Sequence, residues 1–142
     1  MTEDAIQRYA IRVGYTEKDL EKFKDGGHRT RQVTKLSEAA AQYSIQATVI
    51  DARHCNTGHK PGQTFILDVD GNFITKRCPN KMCAYLISQM IIPIALINER
   101  LSEGLDPNPF HFMRVVHCLD AGVDCQGYGQ VTIEIKVIPR VA

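Results

Sequence analysis

The sequence lacks an excess of charge of either sign. Of its 142 residues, 17 are Lys or Arg and 16 are Asp or Glu. A chain with this balance has no overall attraction for nucleic acid or for an anionic membrane surface. We therefore expect no nucleic-acid partner.

The sequence also lacks an apolar run long enough to cross a bilayer. The longest charge-free stretch, residues 83–98, is shorter than the roughly 20 residues that a spanning helix needs, and Ser88, Gln89 and Pro93 interrupt it. The N-terminus, MTEDAIQRYAIRVG, carries acidic residues at once and has no apolar signal-peptide core. We expect a cytoplasmic protein without membrane contact, whose cysteines are reduced thiols or metal ligands.

Familiar cysteine motifs are missing as well. The five cysteines form neither paired C-x-x-C knuckles nor a ferredoxin-type run, and an odd number does not suit a disulfide framework. No internal repeat or low-complexity segment is present. Hydrophobic residues make up 44% of the chain, so we expect all of it to fold.

What is present predicts an α+β fold. Residues 1–42 favour three short helices, with apolar positions at helical spacing and glycines at the first two ends. From Tyr43 the period changes to two, which predicts a strand over residues 43–51. Two further strands flank the turn at Asp70-Gly71, and later strands are predicted near residues 112–118 and 131–138.

A long helix is predicted between these strands, over about residues 81–102. Pro93 removes one helical hydrogen bond, so we expect a kink or break there. The predicted architecture is a small antiparallel sheet covered by one long kinked helix, preceded by a helical N-terminal extension. We divide the chain into the extension, residues 1–42, and a Cys/His metal-binding domain, residues 43–142.

The cysteines and two histidines lie at the ends of predicted elements, where separate segments can converge. The segment ARHCNTGHKPGQTF places Cys55 and His59 in one glycine-containing loop. Cys78 ends the predicted hairpin, Cys83 opens the long helix, and His117 and Cys118 end a strand. Spacing alone leaves three interpretations open: a metal site, buried structural thiols, or a reactive thiol.

From Tyr43 onward the chain resembles a family of small, uncharacterised bacterial and archaeal proteins. The resemblance rests on HCNTGHKPGQTF, KRCPNKMC and VVHCLDAG, which match a pattern of Cys, Gly-x-x-Phe, an element-ending Cys and Cys-x-Asp. It implies Cys55, Cys78 and Cys118 as metal ligands, and makes His117 a candidate because many members carry a cysteine there. The fourth ligand could be His59, which we rank first, or His117 or Cys83. Asp120 could orient a ligand or cap a turn.

These observations predict a small metal-binding accessory protein, or a subunit of a larger cytoplasmic enzyme system, with a mainly structural site. Zinc is the expected metal, and a [4Fe–4S] cluster is the alternative. A larger protein partner or a homo-oligomer is expected. The competing hypotheses are an enzyme with an open zinc position, and a redox-active thiol pair such as Cys78 with Cys83.

Overall fold

The computed structural model describes residues 2–141, which form an α+β fold. Five α-helical segments and four strands are present in this range. In chain order they are α1 (Thr2–Val13), α2 (Glu17–Lys24), α3 (His28–Ala40), β1 (Tyr43–Arg53), β2 (Thr64–Leu67), α4 (Ala84–Ile87), α5 (Ile91–Ser102), β3 (Val115–His117) and β4 (Gln130–Pro139).

The strands form one antiparallel sheet in the order β2-β1-β4-β3. The alternation predicted for the first and last strands is confirmed, because Ile45 and Ala47 of β1 and Ile133 and Ile135 of β4 are all buried. β1 and β4 pair over most of their length, with a register shift between Val49 and Asp51. This shift leaves Ile50 about half exposed, at 48%.

The predicted long helix exists and is interrupted. It runs from α4 through a 3₁₀ turn at Ser88–Met90 into α5. The interruption precedes Pro93, which has no N–H for the Gln89 carbonyl. The helix begins at Ala84 rather than Lys81, so Cys83 occupies its N-cap position.

The core joins this interrupted helix to the sheet. Leu86, Met90, Ile97 and Leu101 belong to the same buried cluster as the inner residues of β1 and β4. Burying side chains of this kind contributes roughly 1.5–3 kcal/mol each. The core therefore lies between the sheet and the helix.

The three predicted N-terminal helices are present, and the third ends at Ala40, two residues before the predicted boundary. Thr16 caps α2 in a capping box with Asp19, and Phe23 of this helix is buried. Leu36 and Ala39 of α3 join the main core. The predicted boundary near residue 42 falls between α3 and β1, and α3 packs against the unit that carries the sheet.

One predicted strand is wrong. The turn at Asp70-Gly71 forms, but the segment after it makes only a single bridge, between Phe73 and Leu67, and then enters a 3₁₀ turn at Thr75–Arg77. The Asp68 carboxylate accepts the backbone N–H groups of Asp70 and Asn72. These bonds hold the chain in a tight turn in place of an extended arm.

The strand predicted over residues 112–118 is shorter, at Val115–His117. Met113 has a positive φ of 66°, which interrupts an extended conformation before that point. Among residues 2–141, no helix has the length and apolar character required to span a bilayer.

Candidate functional site

Three cysteines from distant parts of the chain line one cavity, which we call the thiol cavity. They are Cys55 in the loop after β1, Cys83 at the start of α4 and Cys118 just after β3. The cavity has a volume of about 560 Å³, and residues 128–131 at the start of β4 complete its wall. Three of the six candidate metal ligands predicted from the sequence are thus cysteines that line this cavity.

The three thiols differ in environment. Cys118 is buried, and its backbone N–H donates to the Val131 carbonyl at 2.9 Å. In return the backbone N–H of Val131 donates to Cys118 Sγ at 3.4 Å. Cys55 and Cys83 are half-buried, and all three are free thiols.

His59 also lines the cavity, but both of its ring nitrogens already have partners. Nδ1 lies 2.9 Å from Gln63 Oε1, and Nε2 accepts the backbone N–H of Cys83 at 3.3 Å. Gln63 Oε1 also accepts the N–H of Lys60, which identifies it as an acceptor, so Nδ1 carries the proton. The ring is 4% exposed and packs on Phe65, with centroids 5.4 Å apart.

His59 therefore joins the loop after β1 to the start of α4. The sequence predicts His59 as the first choice for the fourth ligand, but in this arrangement both ring nitrogens are engaged by protein groups. The backbone N–H of Cys83 has no partner within the helix, and its hydrogen bond to His59 Nε2 satisfies this donor. The local role of His59 is that of a clamp between two segments.

Cys78 and His117 lie outside the residues that line the cavity. Cys78 follows the 3₁₀ turn, and its Sγ donates to the carbonyl oxygens of Ile74 at 3.3 Å and Ile66 at 3.5 Å. His117 is exposed, and its Nδ1 lies 2.6 Å from the Cys118 carbonyl oxygen. Neighbouring residues on a strand point to opposite faces, which separates His117 from the Cys118 sulfur.

In the part of the chain that the structure describes, no group of three or more His, Cys, Asp or Glu side chains is placed to hold a metal ion. The thiols of Cys55, Cys83 and Cys118 share a cavity without converging on one point. Cys125 is exposed in a 3₁₀ turn and does not line the cavity.

Asp120 holds the loop that closes one side of the cavity. Its carboxylate accepts the backbone N–H groups of Gly122, Tyr128 and Gly129 at 2.8 to 3.0 Å. The N–H groups of Tyr128 and Gly122 are the main cause of the lowered pKa of Asp120. The sequence leaves two roles open for Asp120, orienting a ligand or capping a turn, and these hydrogen bonds show that it caps the turn.

Two glycines allow this loop to close. A Cβ at Gly127 would overlap the Asp120 carboxylate and lie 2.7 Å from the Gly122 nitrogen. A Cβ at Gly129 would overlap the His54 carbonyl and lie 2.6 Å from the Arg53 carbonyl oxygen. Only glycine lets the start of β4 approach the end of β1 this closely.

Two tyrosines at the cavity were not identified from the sequence. Tyr85 is 69% exposed and Tyr128 is 84% exposed, and both line the cavity, so they stand at its rim. Tyr85 lies off the apolar face of the predicted helix, and Tyr128 lies between two glycines. A large aromatic residue outside the predicted core, on a polar helix face or in a glycine-rich loop, is the sequence signal that points to these two tyrosines as candidate binding residues.

Comparison of the chain with protein-family models, with curated proteins and with solved structures gives no match. The resemblance noted from its cysteine pattern stays a prediction.

Proposed function

We propose that the protein binds a thiophilic metal ion, with zinc as the first candidate, through Cys55, Cys83 and Cys118. One observation carries the proposal: three of the five cysteines come from distant segments and line the same cavity. This ligand set replaces Cys78 and His117, which lie elsewhere, and His59, whose nitrogens are engaged.

The donor chemistry supports this assignment. Thiolates are preferred ligands of zinc and of iron–sulfur clusters. The N–H of Val131 already points at Cys118 Sγ, and hydrogen bonds of this kind stabilise a ligating sulfur. The thiols of Cys55 and Cys83 must reorient toward Cys118, and a cysteine side chain does so by rotation about a single bond, χ1.

Three protein ligands leave a fourth position facing the cavity. A structural zinc site is normally closed by four protein ligands, whereas a catalytic site keeps one position open. The cavity therefore favours a second candidate function, an enzyme in which the bound ion meets a small substrate there. His59 would keep the Cys83 segment in place in either case.

We propose further that the protein works with a partner, as an accessory protein or subunit, or as a homo-oligomer. Support comes from large apolar side chains that are left exposed. Ile91 and Ile92 at the start of α5 are 67% and 53% exposed, and Phe112 and Leu119 beside β3 are 69% and 61% exposed. Large apolar side chains that remain in contact with water are candidates for burial against a partner.

The metal assignment is tested by elemental analysis of protein purified without oxygen. We expect about one zinc per chain, and loss of that zinc in Cys55→Ser, Cys83→Ser and Cys118→Ser. Cys78→Ser and Cys125→Ser are the matched controls and retain it. Circular dichroism of each variant confirms that the fold is unchanged.

Other outcomes separate the alternatives. Brown protein with iron and sulfide selects the cluster, and loss of iron in Cys78→Ser would restore the ligand set expected from the sequence. Folded protein free of metal under these conditions overturns the proposal.

A further inference from the structure

We propose that the thiol cavity binds a small, uncharged aromatic molecule. This inference rests on the same cavity as the proposed function, but it does not require a bound metal. It names the class of ligand that the described walls of the cavity fit best.

The size and floor of the cavity suit a small organic ligand. Its volume of about 560 Å³ falls in the range of about 300–1,000 Å³ typical of such sites. Leu86 and Val131 line it and are 0% and 2% exposed, so they give it an apolar floor. An apolar ring placed there loses contact with water and gains dispersion contacts.

The residues that line the cavity offer no charged side chain free to pair with an ionic ligand. Among the described residues that line the cavity there is no Lys or Arg, Asp120 is the one carboxylate, and His54 and His59 are the histidines. Both oxygens of Asp120 are occupied by backbone N–H groups. In the metal-free protein, a charged ligand entering this site would lose hydration without gaining a counter-charge from Lys, Arg or an unoccupied carboxylate.

The rim supplies flat surfaces. Tyr85 and Tyr128 line the cavity from two different segments and expose most of their rings to solvent. Aromatic rings favour offset-stacked or edge-to-face contacts with another ring, and a tyrosine adds a polar hydroxyl at the water boundary. An aromatic ligand is therefore favoured over an aliphatic one of equal size.

The test uses three probes that share one ring and differ in charge: benzamide, benzoate and benzamidine. Each is titrated into ¹⁵N-labelled protein to about 10 mM, a range suited to fragments of this size. We expect benzamide to bind at least about tenfold more tightly than either charged probe, with amide shifts at Cys83 and Gly129. Equal or tighter binding of a charged probe, or no binding of benzamide, overturns the inference.

Variants then locate the binding surface. The double variant Tyr85→Ser, Tyr128→Ser is expected to weaken benzamide binding about tenfold, while Ile11→Ser leaves it unchanged. Ile11 of α1 is the control because it is 79% exposed and does not line the cavity. An equal loss in the Ile11 variant would also overturn the inference.

Titrations of metal-free and zinc-treated protein keep the two proposals separate. Benzamide binding to protein that takes up no zinc supports the ligand class and removes the metal assignment. If the protein takes up zinc but binds no benzamide, whether metal-free or zinc-loaded, the proposed ligand class is wrong and the metal assignment stands.

Discussion

Replacing His59 by alanine tests whether this residue is a structural clamp or a metal ligand. The change removes hydrogen bonds to Gln63 and to the Cys83 amide, and it removes the ring that packs on Phe65. Each hydrogen bond contributes about 1 kcal/mol, and the lost packing adds about 1–2 kcal/mol. We therefore expect the free energy of unfolding to fall by about 3–4 kcal/mol.

Urea denaturation followed by circular dichroism measures this loss. With a slope of about 2 kcal/mol per molar urea, the midpoint should fall by about 1.5–2 M. A domain of this size has a stability of about 5–15 kcal/mol, so the variant stays folded in the absence of urea. His54→Ala, at an exposed histidine in the same loop, is the control and should change the stability by less than about 0.5 kcal/mol.

A double-mutant cycle isolates the side-chain pair. Combining His59→Ala with Gln63→Ala should reveal a coupling of about 1 kcal/mol, because the two side chains share one hydrogen bond. A loss below about 1 kcal/mol in His59→Ala, or additive effects in the cycle, would refute the clamp. Unchanged metal content in a destabilised variant is the expected result, and loss of metal without loss of stability would restore His59 as a ligand.

Three further changes probe the walls of the cavity. Leu86→Ala removes a fully buried side chain, and calorimetry should show a loss of about 2–5 kcal/mol. Gly129→Ala forces a Cβ against the carbonyls of residues 53 and 54, and the expected loss of about 2 kcal/mol should appear as a lower melting temperature. Asp120→Asn should lower stability at pH 7. Folding lowers the pKa of Asp120, so its stabilising contribution is complete above the ordinary pKa of about 3.9 and disappears as the pH falls through the lower folded value. Urea midpoints of Asp120→Asn and the unaltered protein should therefore converge in acid, and a difference that persists there would contradict this assignment.

Local patterns in the sequence predict much of the fold. The alternation in β1 and β4 determines which side chains face the core, because the side-chain period of a strand is two. The interruption before Pro93 is also local, since it depends on hydrogen bonds within one helical turn.

The membership of the site depends on tertiary structure instead. The sequence predicts Cys78 at the end of a hairpin strand. Hydrogen bonds to the Asp68 carboxylate turn the chain before that strand can form, and the Cys78 thiol donates to the nearby carbonyl oxygens of Ile66 and Ile74. Histidine is a common metal ligand, and His59 lies in a loop beside Cys55 where a ligand is expected. Only its two hydrogen-bond partners show that it joins two segments instead. Neither partner follows from spacing, because the Cys83 amide is 24 residues away along the chain.

Four stretches of backbone, residues 54–59, 83–86, 118–120 and 128–131, meet around the thiol cavity, and this has a practical consequence for testing which ligands bind there. A compound that binds this cavity in the folded protein and not in the unfolded chain raises the melting temperature by mass action. At a hundred times its dissociation constant, the gain is about 2.7 kcal/mol. Thermal-shift screening of a metabolite collection therefore tests the proposed ligand class without an assay of activity.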